Sequence, residues 1–253
     1  MASAPRTAVI LAAGMGTRLR NMFSDRPKGF IEIGGEPLIG RSIRFLQARG
    51  VERIVIVSGY LGEAYERLAR EMPGVETVEN AAYSTTGSMA SLVCALERVN
   101  EDFLLLESDL FYEERALDVL LEAEERDVLL ASGPTGATDE VWIEARGGFL
   151  AAMSKEAGAL GQVYGELVGI VRISLPLARC MADAYAKFVK KNGHGQMAYE
   201  TDALVVAAAQ HPVALRLVPD LLWGEVDYES HYLRVRDEVF PRCLDACGAA
   251  QSE

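Results

Sequence analysis

This sequence predicts an α/β fold, a mostly parallel sheet with helices on both of its faces. Two observations predict it. Apolar runs alternate with stretches of helical period through the first half of the chain, and the runs are hydrophobic at consecutive positions, as strands buried on both faces must be.

The first run, residues 7–11, is rich in β-branched residues and leads into Ala12-Ala13-Gly14-Met15-Gly16-Thr17-Arg18, a strand that ends in a glycine loop. An amphipathic stretch over residues 39–49 closes with Gly50. A second apolar run, residues 53–57, then precedes Ser58-Gly59 and completes a βαβ unit. A helix over 62–72 leads to a strand over 75–78, and a helix over 88–99 leads to strands over 103–106 and 128–131. From Val141 the pattern shortens to strands over 141–145 and 165–173, a helix over 177–191 and a Gly-rich turn over 192–195. Such sheets bind ligands outside the carboxyl ends of their strands, so the chemistry is expected on the loops that follow them.

Half of the residues are hydrophobic and a quarter are charged, which describes a folded globular chain and excludes a disordered one. The formal net charge of −12 excludes the broad basic surface that nucleic acid requires. Cys94, Cys180, Cys243 and Cys247 lack metal-ligand spacing and read as free, mostly buried thiols of a reducing compartment. The apolar run over 8–13 is too short for a membrane span or a signal segment, so a cytoplasmic location without a membrane partner is expected. His194, His211 and His231 form no recognisable triad.

Gly14 and Gly16 follow a strand, where backbone N–H groups can approach phosphate closely, although an ordinary tight turn would use the same glycines. Arg18, Arg26 and Lys28 place cations behind that loop. Neither the dinucleotide fingerprint nor the P-loop pattern is complete. Glu107-Ser108-Asp109 ends an apolar strand, where Asp109 suits either a hard cation or a turn. In Trp223-Gly224-Glu225-Val226-Asp227, alternation puts Glu225 and Asp227 on one face. Thr86-Gly87-Ser88 precedes a helix, and its hydroxyls suit either a base edge or an N-cap.

Leu11-Ala12-Ala13-Gly14-Met15-Gly16-Thr17-Arg18-Leu19, continued by Pro27-Lys28, resembles the signature of the sugar-phosphate nucleotidyltransferase superfamily. With Pro27 to Gly35, Thr86 to Met89, Leu104 to Leu110 and Gly165 to Ile170, the chain is similar to the cytidylyltransferases of phosphonate and phosphocholine metabolism, the 2-aminoethylphosphonate cytidylyltransferase family foremost. The resemblance implies a Rossmann-like three-layer α/β/α nucleotidyltransferase fold of GT-A type, with a mostly parallel mixed sheet. Residues 1–253 would form one domain, its N-terminal half for nucleotide and its C-terminal half for substrate. It implies CTP held by Leu11, Ala12, Ala13, Gly14, Gly16, Thr17, Arg18, Lys28, Gly59, Thr86, Gly87 and Ser88, with Lys28 and Arg18 acting in catalysis. It also implies magnesium on Asp109 and Asp227, and transfer of CMP to 2-aminoethylphosphonate with release of diphosphate.

An aminoethyl or choline head is cationic and calls for carboxylates, for which Glu140, Glu166 and Glu200 are the candidates, although each also suits a solvated surface or a helix cap, while Lys155 suits either the acceptor's phosphonate or an ordinary exposed position. The expected partners are therefore CTP and a small phosphonate or phospho-alcohol, with a homodimer left open. Three other readings share the signature: a phosphocholine cytidylyltransferase, an NDP-sugar-forming enzyme, and a nucleotide-binding regulatory module without turnover.

Overall fold

The computed structural model describes residues 4–19 and 21–250. The first apolar run forms β1 (Thr7–Ala12), buried throughout. The glycine loop and a small hairpin, β2 (Glu32–Ile33) and β3 (Glu36–Pro37), separate it from α1 (Leu38–Ala48). Next come β4 (Arg53–Ser58), α2 (Gly62–Glu71), β5 (Val75–Glu79), α3 (Ser88–Leu96) and β6 (Phe103–Glu107). A short β7 (Leu110–Tyr112), α4 (Arg115–Leu121) and β8 (Val128–Ser132) follow. The second half contains β9 (Trp142–Arg146), β10 (Phe149–Ser154), the long β11 (Val163–Ile173), α5 (Leu175–Asn192), α6 (Val205–Ala208), β12 (Ala214–Val218), β13 (Trp223–Glu225), α7 (Glu229–Arg234) and α8 (Phe240–Ala250).

Nine strands join in the order β5-β4-β1-β6-β11-β8-β12-β10-β9. β5, β4, β1 and β6 are parallel, as the βαβ reading requires, whereas β11 runs antiparallel to both β6 and β8. β9 pairs with β10 and also with the start of β11, so the far end of the sheet curls back on itself.

The period of two distributes side chains between two cores. Val9 and Leu11, Val55 and Val57, Phe103 and Leu105 pack on one face with α3 and α5. Ala8 and Ile10, Ile54 and Ile56, Leu104 and Leu106 pack on the other with α1, α2 and α4. Each fully buried Val, Leu, Ile or Phe contributes about 1.5–3 kcal/mol by leaving water, which is why these runs become central strands.

Helix α5 starts two residues earlier than the sequence predicts. Ser174 caps it by accepting the Leu177 N–H at 3.3 Å, and Gly193 closes it in the left-handed region at φ 75°. The cysteine expectation is corrected in part: Cys243 is buried, but Cys94 and Cys180 are only half-buried on their helices, and the Cys247 side chain lies outside the described residues.

A third, smaller core fixes what surrounds the sheet's carboxyl edge. Leu19 and Ile31 bracket the segment that carries Lys28, Phe111 follows Asp109, and Val226 precedes Asp227; all four pack with Val235, Val239 and Cys243 of the C-terminal helices. Short β7 and β13 pair antiparallel within this region, with Leu110 opposite Glu225.

Candidate active site

The glycine loop opens a cavity of about 210 Å³ at the carboxyl ends of β1 and β6. Leu11, Ala12, Ala13 and Gly14 form one wall, Thr86, Gly87 and Ser88 the other, with Lys28, Glu107, Asp109 and Glu225 at the end. A Cβ on Gly14 would meet nothing within 4 Å, so that backbone faces open space. Gly16 sits at φ +56°, and a Cβ there would lie 3.2 Å from Cγ of Lys28. The glycine thus serves both the turn and the passage of the lysine stem beneath it.

The ammonium of Lys28 donates to Asp109 at 2.7 Å and also to Asp227, which takes a further bond from Arg18 at 2.7 Å. Burial pulls the Lys28 ammonium down, but Asp109 and Asp227 outweigh it and hold the group above the ordinary lysine value. Burial likewise raises Asp227, yet Lys28 beside it leaves the carboxyl below its usual range.

Oxygens of Glu107, Asp109 and Glu225 converge within 4.8 Å of one another. The backbone brings them together. Val226 N–H donates to the Asp109 carbonyl at 3.0 Å, and β11 bulges at Gly169, φ +79°, where a Cβ would lie 3.2 Å from the Glu107 carboxylate. Burial and then Glu225 push Glu107 well above the usual carboxylate range, and burial and then Asp109 do the same to Glu225. Crowded hard oxygens of this kind fit magnesium, which takes carboxylates together with water and phosphate oxygens.

A second cavity of about 210 Å³ adjoins the first and shares Glu107 and Glu225 with it. Glu140, Lys155, Glu166 and Glu200 all line it. Glu166 is 2% exposed, and its two oxygens accept the Thr135 N–H at 2.6 Å and the Thr135 hydroxyl at 2.8 Å. Its first task is to hold the 133–140 loop, and burial pushes its carboxyl up to about 7. His231, also 2% exposed, grips the same loop through the Ala137 carbonyl at 2.9 Å, and Thr138 between these anchors adopts φ 77°.

A family model described as the MobA-like NTP transferase domain matches residues 8–216. The chain belongs to that family. Its members are nucleotidyltransferases, and the shared stretch spans the glycine loop, Lys28 and the Glu107–Asp109 turn of this NTP transferase. The chain is 31% identical over 201 residues to 2-aminoethylphosphonate cytidylyltransferase of Lancefieldella rimae, covering 76% of this chain and 77% of that one. It is 38% identical over 133 residues to CMP-5'-(3-aminopropyl)phosphonate synthase of Streptomyces rubellomurinus, a stretch that is 51% of this chain but 21% of that longer protein. Its fold matches the inositol-1-phosphate CTP transferase of T. maritima with a TM-score of 0.72, at 21% identity over 91% of this chain and 93% of the other.

Some expected residues stand elsewhere. Thr17 and Arg18 are exposed beside the first cavity, and Arg18 reaches Asp227 while its guanidinium lies 4.9 Å from the Tyr228 ring centroid. Gly59 lines a neighbouring hollow, and a Cβ there would lie 2.7 Å from Tyr83. Arg26 pairs with Asp25 and lines a small hollow with Met15 and Gly16. Neither Thr86 nor Ser88 caps α3. Gly87 occupies that position, Thr86 donates to the Ala82 carbonyl, and Ser88 accepts the Tyr199 N–H at 3.0 Å. Tyr83 and Ser91, which flank Thr86-Gly87-Ser88, also line the first cavity, as does Tyr65 of α2, which carries no distinguishing pattern in the sequence.

Proposed function

We propose that this nucleotidyltransferase joins CTP to 2-aminoethylphosphonate, forming CMP-2-aminoethylphosphonate and diphosphate. The observation that carries the proposal is the shared wall: two cavities of equal size meet at Glu107 and Glu225, next to Lys28 and Asp109. A nucleotide in one and an acceptor in the other would meet at that wall. The likeness to the phosphonate enzyme of Lancefieldella rimae supports the choice of acceptor.

The acceptor's phosphonate oxygen is itself the nucleophile, so no general base is required, and the task is alignment and charge neutralisation. Gly14 and the preceding backbone cradle the triphosphate, Thr86, Gly87 and Ser88 face the base, and Lys28 stabilises charge that develops at the α-phosphate. Arg18 stands on the side of the departing diphosphate. Glu107, Asp109 and Glu225, with Asp227 beside them, would hold magnesium, which when bound neutralises phosphate charge. Glu140 and Glu200 supply negative field for the aminoethyl cation. Glu166 supports the loop on which Glu140 stands.

The test is diphosphate release with magnesium and each of CTP, UTP, ATP and GTP, crossed with 2-aminoethylphosphonate, phosphocholine and a hexose 1-phosphate. Release confined to CTP with 2-aminoethylphosphonate is expected. Release with phosphocholine or with the hexose phosphate would transfer the assignment to the corresponding relative, and no release with any pair would favour a binding module.

A further inference from the structure

Seven of the side chains that line the second cavity are carboxylates, and two are basic, Lys155 and Arg234. An acceptor with an anionic end cannot enter such a field unless a cation is fixed there to receive it. Lys155 is exposed, and its charge acts on Glu200. Arg234 is half-buried, at the last position of α7.

The fold holds Arg234 against the strand that bears the shared carboxylate. Its Nη2 donates to the Trp223 carbonyl at 3.4 Å, and a Cβ on Gly224 would stand 2.6 Å from the same nitrogen. A Cβ there would also lie 2.7 Å from the Val235 side chain, so this glycine, one residue before Glu225, leaves the space that the guanidinium occupies. The Nε atom is buried with no hydrogen-bond partner among the described residues. No carboxylate of the described residues forms an ion pair with Arg234 either, in a cavity where acids outnumber bases. A π-helical turn, Val235–Val239, follows at once, a distortion frequent at functional positions.

We propose that Arg234 receives the anionic end of the acceptor, a phosphonate or phosphate monoester, and turns one of its oxygens toward the nucleotide cavity. The planar fork of the guanidinium suits two oxygens of one tetrahedral group, and backbone anchoring spares the entropy that a free lysine would lose. This rests on the second cavity being the acceptor site.

The experiment uses the full chain with Arg234→Gln and Arg234→Lys, and combines steady-state kinetics, thermal unfolding and calorimetric binding of 2-aminoethylphosphonate. Loss of charge-assisted bonds predicts a KM for the phosphonate raised about 10- to 100-fold in Arg234→Gln. The KM for CTP and the Tm should stay near wild type, with partial recovery in Arg234→Lys. An unchanged phosphonate KM and binding constant would overturn the assignment while wild-type turnover keeps the acceptor reading intact. A lowered Tm with both KM values raised equally would reduce Arg234 to a structural role. If the wild type binds the phosphonate without turnover and Arg234→Gln abolishes binding, Arg234 stands and the cytidylyl reading falls. Absence of both binding and turnover in the wild type overturns both.

Discussion

The ammonium of Lys28 lies 2.7 Å from a carboxylate oxygen of Asp109, although the two residues are 81 positions apart in the chain. The same ammonium contacts Asp227, 199 positions away, so one lysine ties together the glycine loop, the end of β6 and the segment after β13.

Replacing Lys28 with Met should lower diphosphate release on the order of 10²–10³-fold, as loss of a group used mainly in the transition state does. Because Lys28 is held above the ordinary value of 10.5, its charge is fully present below that pH and is lost only as pH rises through the raised value. The wild-type rate should therefore show no lysine-dependent decline between pH 7 and roughly pH 10. A Lys28→Met enzyme with wild-type turnover would remove the residue from the reaction.

Glu107→Gln and Glu225→Gln should each raise the magnesium concentration for half-maximal activity, by roughly 10- to 100-fold, since each replaces one of three converging carboxylates by a neutral amide. Asp227→Asn should weaken it as well while loosening Arg18 and Lys28. Magnesium titration of the initial rate decides the matter, and an unaltered titration excludes the substituted carboxylate as a ligand.

Glu166→Gln should change how stability depends on pH. The folded-state value is raised from an ordinary 4.5 to about 7, so the protonated carboxyl favours the fold. Its stabilising contribution is full below 4.5 and is lost as pH climbs through about 7. Gln can accept the Thr135 N–H and donate to the Thr135 hydroxyl, and it does not ionise, so the variant should gain stability over wild type on going from pH 5 to pH 8, by at most about 3 kcal/mol. Thermal unfolding at the two pH values measures this, and a constant difference would refute it.

Ser88 lines the first cavity and donates to Glu200, which lines the second, at 3.4 Å. Ser88→Ala should cost about 1 kcal/mol and raise the acceptor KM about fivefold. A double-mutant cycle with Glu200→Gln should give less than additive losses. Strict additivity would mean that the bond does not join the two sites.

Gly87→Ala should lower the Tm by several degrees, because the new Cβ would lie 2.4 Å from the Met197 carbonyl oxygen, backbone that cannot swing aside. Differential scanning calorimetry measures the change, and an unchanged Tm would mean that the 195–198 segment is free to retreat.

The sequence by itself determined the central strands, the glycine loop, Lys28, Asp109 and the Glu225/Asp227 segment. These are local signals, consecutive apolar residues, glycines after a strand and carboxylates at strand ends, and each reflects a preference satisfied within a few residues. The tertiary structure decided the rest. Glu107 and Glu225 became neighbours through the pairing of β7 with β13 and the bulge at Gly169. Glu166 lines the second cavity and also anchors a loop through Thr135, and Arg234 came to stand over Gly224. Those contacts join segments far apart in the chain, and since no short-range periodicity distinguishes a half-buried arginine at a helix end from a solvated one, only packing could assign it a place.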